Sequence, residues 1–292
     1  MADIGSAGAL SPGADIARDV AAQASARGAS WPTVGLFVGL WVGIAFSVAM
    51  ALIGFVPYWG AAIANTAMFY VMAHSNHEAI HRNISGGNPR LRWLNEAIGH
   101  LGSFWFFLPF PAFKAVHLAH HRAPNDPATD GDMWVARENP LLVFLTCSTI
   151  LVGYEFQIWR MAREGTLSRA DVLMIYGQRI LALLVIAAAF AVGIGYEIFM
   201  FWMLPALLTM PLLAYFFAYV VHQPHDETDP YRSSNVILAR PWLQPLVTGV
   251  FVFQNYHLVH HLNPRIPFYN YGKTFRAMQS ELVSKGAKVS TL

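Results

Sequence analysis

The sequence predicts an all-α integral membrane protein: four transmembrane helices in two hairpins, with a cytoplasmic helical cap that carries clustered histidines. Three observations predict it. Of 292 residues, 55% are hydrophobic and only 12% charged, a balance foreign to a soluble domain of this length. Long stretches carry no charge at all. The 19 Lys and Arg residues all fall on one side of the four-span arrangement, as cytoplasmic loops require.

Residues 1–30 are rich in Ala, Gly and Ser with scattered charges, and they hold no apolar run of the signal-peptide kind. They read as a flexible or interfacial N-terminal arm ahead of one membrane domain, residues 31–292. Residues 33–56 are uncharged. As a helix they would be about 36 Å long, enough for a hydrocarbon core of about 30 Å. Pro57, Tyr58 and Trp59 make an interfacial turn, and the apolar pattern returns over residues 61–73 before it meets His74, His77 and His81. Residues 180–196 and 198–221 form the second hairpin, with a turn expected at Gly195 and Glu197 and His222 at its end.

Two further apolar stretches, 97–113 and 140–159, are not counted as spans. If only one of them crossed, the histidines near 77–121 and those near 257–261 would lie on opposite faces of the membrane. The first stretch is also broken by His100, Pro109 and Pro111, and the second carries Glu155 and ends among Arg160, Arg163 and Glu164. Both read as interfacial or buried helices.

A net charge of +2 with no basic block excludes nucleic-acid binding. The single cysteine, Cys147, excludes an internal disulfide, a cysteine zinc site and a bound iron–sulfur cluster. Redox chemistry, if present, must use other ligands, and most of the twelve histidines are clustered.

Three boxes stand out: His77-Glu78-Ala79-Ile80-His81, His117-Leu118-Ala119-His120-His121 and His257-Leu258-Val259-His260-His261. On a helix, residues at i, i+3 and i+4 share a face, so each box is expected to aim its imidazoles at one point. The boxes hold eight histidines. That is too many for one metal of four to six ligands, so two metals are expected. A thiolate-free imidazole set suits iron, zinc, copper or nickel.

HxxxH, HxxHH and HxxHH in this order, around two hairpins, resemble the membrane fatty-acid desaturase and hydroxylase superfamily over about residues 70–280. The run from His117 through Asn125-Asp126-Pro127 to Asp130, and that from Asn255-Tyr256-His257 through Pro267-Phe268-Tyr269, are most similar to β-carotene ring hydroxylases of desaturase type. Glu78 stands where that family commonly has Asp. The resemblance implies two iron ions, dioxygen as co-substrate and oxidation of a C–H bond in a lipid or isoprenoid, foremost ring hydroxylation of a β-carotene-like substrate. Acyl-lipid desaturation is the alternative. It also implies a ligand at the end of the last span, where His222 sits. The expected metal set is His77, His81, His117, His120, His121, His222, His257, His260 and His261.

Other residues read less sharply. Asp126 and Asp130, with Asp132, lie in a Pro-punctuated loop where a carboxylate would either cap a solvated turn or accept the free ring N–H of a ligand histidine. Asn255 is a weak or water-bridged ligand, or simply a turn residue. His74 reads as support or packing beside His77, His100 as a hydrogen-bonded packing residue, and His225 as a residue outside the metal set.

Electrons must come from outside, because the chain has no Gly-rich nucleotide fingerprint, haem-attachment motif or cysteine set. A ferredoxin or small haem protein on the basic cytoplasmic face is the expected donor, and a bacterial inner membrane the expected location. Two rival functions stay open. His77-Glu78-Ala79-Ile80-His81 satisfies the HExxH pattern of zinc hydrolases, although six histidines would then be idle. A metal transporter would need ligands at mid-membrane rather than at span ends.

Overall fold

The computed structural model describes Ser25 and residues 28–292, so most of the expected N-terminal arm lies outside the described residues. Helix α1 (Trp31–Leu52) opens with Pro32 in its first turn, where a missing N–H costs nothing. It buries Phe37, Ile44 and Ala51, while Val38, Val42 and Phe46 form an exposed apolar row at a spacing of four. A helix apolar on both faces belongs in lipid. After a turn that needs Gly54 at φ +78°, α2 (Tyr58–Ile80) runs back along α1. Gly43 makes that contact possible, since a Cβ there would lie 2.7 Å from Met68 Sδ.

The second hairpin pairs α7 (Arg169–Ala191) with α8 (Gly195–His222). The turn sits earlier than the sequence suggests: Gly193, at φ +86°, makes it, and Gly195 and Glu197 already belong to the first turn of α8. Helices α1, α7 and α8 are each long and apolar enough to cross a membrane. Helix α2 has the length, but its last turns are polar and wholly buried from Met72 to Ile80. Between the hairpins, α5 (Pro140–Ser148) and α6 (Ile150–Arg163) meet at a bend of 61°, and would be apolar enough for one span only if taken together.

Helix α8 is not regular. Pro205 cannot donate to the carbonyl four residues back, that of Phe201, and the buried Asn65 Nδ2 on α2 donates to it instead at 3.0 Å. Wider π turns occupy Phe199–Met203 and Ala214–Tyr219, and a tight 3₁₀ turn, Val220–His222, then turns His222 into the protein.

The cap is built from α3 (Arg92–Ser103), α4 (Phe110–Arg122), α9 (Gln244–Val250), α10 (His257–Leu262) and α11 (Tyr271–Ser284). As expected, residues 97–113 do not span: the chain leaves α3 through Phe104–Phe106 and turns at Phe107, φ +57°, before Pro109 precedes α4. Gly99 and Gly102 let α3 lie against its neighbours, because a Cβ at Gly99 would meet the Phe110 ring at 2.4 Å. The all-α expectation misses one feature: β1 (Asn235–Leu238) and β2 (Lys288–Thr291) form a two-stranded parallel sheet, with Asn235 opposite Lys288. It ties the C-terminal end to the loop that follows α8.

Candidate metal centre

The polar end of α2, helices α4 and α10 and the end of α8 converge, and nine histidines meet there in two groups. His77, His81, His117, His121 and His260 form one, and His120, His222, His257 and His261 the other. The expectation that each box points at one place is therefore wrong for both HxxHH boxes. Residues i and i+4 differ by about 40° around a helix, whereas i+3 and i+4 differ by about 100°. His117 and His121 accordingly join the first group while His120 turns to the second, and His257 and His261 join the second while His260 turns to the first. The two boxes exchange their middle histidines, which places the groups side by side.

The groups are built through Nε2 atoms. His77 and His260 approach to 2.9 Å, His121 and His260 to 2.8 Å, and His81 and His117 to 2.8 Å. In the second group the separations are 2.9 Å for His222 and His257, 3.0 Å for His257 and His261, and 3.1 Å for His120 and His261. Hydrogen bonds do not account for this. His222 Nδ1 donates to the Ser233 carbonyl at 2.8 Å and His257 Nδ1 to Gln254 Oε1 at 2.5 Å, so in the neutral rings both Nε2 atoms carry bare lone pairs. Two lone pairs 2.9 Å apart repel unless a cation lies between them. Metal–imidazole bonds of about 2.1 Å at right angles would put neighbouring nitrogens about 3.0 Å apart. The donor set fits a metal pair.

The outer nitrogens are held in turn. His120 Nδ1 donates to Asp130 Oδ2 at 2.8 Å, and that carboxylate is fixed by the backbone N–H of Asn125 at 2.8 Å and of Asp132 at 2.9 Å. Asn125 takes φ +62° to make this contact. Asp132 Oδ2 lies 3.5 Å from the same nitrogen, and its other oxygen accepts from Tyr154 Oη at 2.7 Å. Tyr271 Oη pairs with His260 Nδ1 at 3.0 Å. Such partners fix ring orientation and tautomer.

Burial, and after it mutual repulsion, holds His117, His121, His257, His260 and His261 well below the usual imidazole range, so they stand as neutral donors. His120 is the exception. Burial would lower it, but the Asp130 and Asp132 carboxylates outweigh burial and raise it to about 9.

The remaining residues sort by position. Asp126 does not reach the histidines: it is half-buried, and its carboxylate accepts from Ala128 N and Thr129 Oγ1, so it caps its own turn. Asn255 is buried and donates to the Ile237 carbonyl at 3.0 Å, fastening the third box to β1, and it belongs to neither histidine group. His225 also lies outside both, its ring against Tyr219. His100 pairs with Gln178 at 2.8 Å. His74 meets Gln254 Nε2 at 3.5 Å, one step removed from His257. Gln254, Tyr154 and Tyr271 are supports that sequence reading missed. Gln254 alone carried a signal, lying three residues before His257 on the same helical face, and Tyr154 and Tyr271 arrive from other elements.

Glu78, the would-be base of a zinc hydrolase, is buried and held by Asn83 Nδ2 at 3.2 Å and by the Phe268 N–H at 3.4 Å. His77 and His81 share their group with three other histidines, and the one cluster that takes in Glu78, with His74 and His77, draws His77 from that group and has Glu78 as a donor rather than a free base.

An apolar cavity opens onto both groups. Phe106, Leu108, Phe113, Leu213 and Phe217 line its walls together with His77, His117, His120 and His257, and Asp132 and Tyr154.

The fatty acid desaturase family model matches residues 53–292. A β-carotene ketolase of Paracoccus sp. (strain PC1) is 28% identical over 202 residues, covering 68% of this chain and 71% of that protein. A second β-carotene ketolase, from Paracoccus sp. (strain N81106 / MBIC 01143), is 29% identical with the same coverage. A chloroplastic omega-3 fatty acid desaturase of Brassica napus is 24% identical over 242 residues, 73% of this chain and 58% of that protein. The carotenoid relatives are thus ketolases, where the motifs alone resembled ring hydroxylases. With the match spanning most of the chain and two histidine groups placed side by side, the protein belongs to the fatty acid desaturase family and is a membrane-bound, non-haem di-iron oxidoreductase.

Proposed function

We propose that the protein inserts oxygen into a ring C–H bond of a β-carotene-like isoprenoid. The observation that carries this reading is the apolar cavity lined by histidines of both groups, which supplies a dry wall for a hydrocarbon beside the donors for a metal pair, and the β-carotene ketolase relatives point to a carotenoid as that hydrocarbon. His77, His81, His117, His121 and His260 would hold one iron, and His120, His222, His257 and His261 the other. Bound there, the irons would supply reduction of dioxygen with external electrons and removal of hydrogen from an unactivated carbon.

The chain's own residues position the reaction. Asp130, Gln254, Ser233 and Tyr271 hold the outer nitrogens of four ligands, while Phe106, Phe113 and Phe217 exclude water and fix the hydrocarbon. Each round consumes one dioxygen, two electrons and two protons, converting C–H to C–OH with release of water. A second round at the same carbon gives a geminal diol that loses water to a ketone, the outcome suggested by the ketolase relatives. The site faces the cytoplasm in this reading, with a ferredoxin or small haem protein as donor, because the Lys and Arg residues fall on the histidine side.

Acyl-lipid desaturation is the second reading, favoured by the Brassica napus match over 73% of the chain. The two are separated by expressing the protein with a matched reductase in cells that accumulate β-carotene and profiling carotenoids and acyl double bonds together. Oxygenated carotenoid with unchanged acyl chains is expected. New acyl double bonds beside untouched carotenoid would transfer the assignment to the desaturase reading.

A further inference from the structure

A second pocket, of about 480 Å³, lies on the far side of the loop that carries Asp130. One wall is a single face of α6, with Gly153, Phe156, Gln157 and Arg160 at i, i+3, i+4 and i+7. The other is the loop through Gly131, Met133 and Trp134, with Arg137 at the rim. Gly153 allows this closeness, because a Cβ there would lie 2.6 Å from the Trp134 ring. The volume is that of a small-molecule site, for which about 300–1,000 Å³ is typical.

Its charge is unbalanced. Arg137 NH1 bonds the Met133 and Ala136 carbonyls and Arg160 NH1 bonds that of Ala128, but among the described residues neither guanidinium has a carboxylate at ion-pair distance. Asp126 feels the charge of Arg160 but spends both oxygens on its own turn, and Asp130, which also lines the pocket, holds His120. The surroundings are those of a membrane surface. Leu141, Phe144, Leu145, Val152, Phe156 and Trp159 stand exposed along the bent α5–α6 pair. Arg163 lies over the Trp159 ring at 4.6 Å, an aromatic and cation belt at the helix end.

We propose that this pocket binds one anionic phospholipid, its phosphate between Arg137 and Arg160 and its acyl chains along Phe156 and Trp159. Phosphate accepts from guanidinium forks, and basic pockets at the cytoplasmic membrane surface recognise anionic headgroups by this chemistry. A lipid is favoured over a free phosphate because the two arginines rise from an apolar, exposed face that needs covering.

The test uses the iron-loaded, full-length protein in detergent, titrated with phosphatidylglycerol, phosphatidylcholine or inorganic phosphate and read by native mass spectrometry. The wild type is expected to retain one phosphatidylglycerol in preference to phosphatidylcholine. At about fivefold per arginine, Arg137→Gln is expected to weaken retention about fivefold and Arg137→Gln/Arg160→Gln about 25-fold. Arg276→Gln, exposed on α11 and outside the pocket lining, is expected to leave it unchanged. Equal retention by the wild type and the double variant, or equal retention of the two lipids, would overturn the proposal. So would displacement of phosphatidylglycerol by millimolar inorganic phosphate, which would identify a free-phosphate site.

Discussion

Asp130→Asn changes one atom of a carboxylate whose two oxygens both accept hydrogen bonds. Oδ2 takes His120 Nδ1 at 2.8 Å and Asn125 N at 2.8 Å, and Oδ1 takes Asp132 N at 2.9 Å. Whichever way the asparagine amide turns, its NH₂ faces an N–H donor in a site where Asp130 is only 5% exposed. At least one charge-assisted bond is lost, worth about 1.5–3 kcal/mol, or roughly 10- to 150-fold. That agrees with the 10–100-fold loss of metal affinity or activity typical for the partner of a ligand histidine. The loss should fall on the group that contains His120 and leave the five-histidine group filled. Iron per chain, measured by plasma mass spectrometry after dialysis, is expected to fall from about two towards about one, with turnover lost in parallel. Retention of both irons and full turnover would refute the positioning role of Asp130 and the assignment of His120 to the second group.

Asp126→Asn, which touches no histidine, should leave iron content and turnover unchanged; a loss like that of Asp130→Asn would mean that the loop acts as a whole. Tyr154→Phe removes the donor to Asp132 Oδ1 without reaching a ligand, so iron should stay bound while turnover falls about tenfold, the worth of one buried hydrogen bond. Unchanged turnover would show Tyr154 to be cavity wall only. Gly99→Ala should destabilise the fold by about 1–3 kcal/mol, because its Cβ would enter the Phe110 ring at 2.4 Å; an unshifted thermal unfolding midpoint in detergent would contradict the packing. After removal of metal by a chelator, iron should restore turnover and zinc should not, even though imidazole sites accept both; recovery with zinc would return the hydrolase reading.

Much of this was legible because the signals are local. Uncharged runs longer than a bilayer core mark α1 and α8, and histidines at i, i+3 and i+4 mark α4 and α10 as metal-facing. The division into five and four histidines was not legible, because it depends on the angle at which α4 meets α10. Spacing within a box says that His120 and His260 diverge from their neighbours, but not which histidines of another element each of them meets. The third span was expected to start at residue 180 but begins at Arg169: charges at Arg169, Asp171 and Arg179 hide the start of a helix that extends into the cap. The β1–β2 pair joins residues more than fifty positions apart through backbone bonds, which leave no periodic trace in so short a strand. Tyr271 and Tyr154 were invisible for the same reason: each acts on a histidine box from a different element.

Whether the nine histidines hold two iron ions side by side is read by X-ray absorption at the iron edge on protein purified without added metal. About two irons per chain are expected, bound by imidazole nitrogen near 2.1 Å with no sulfur, with loss of iron in both His120→Ala and His260→Ala. A single zinc per chain, or iron content that is indifferent to either substitution, would contradict it.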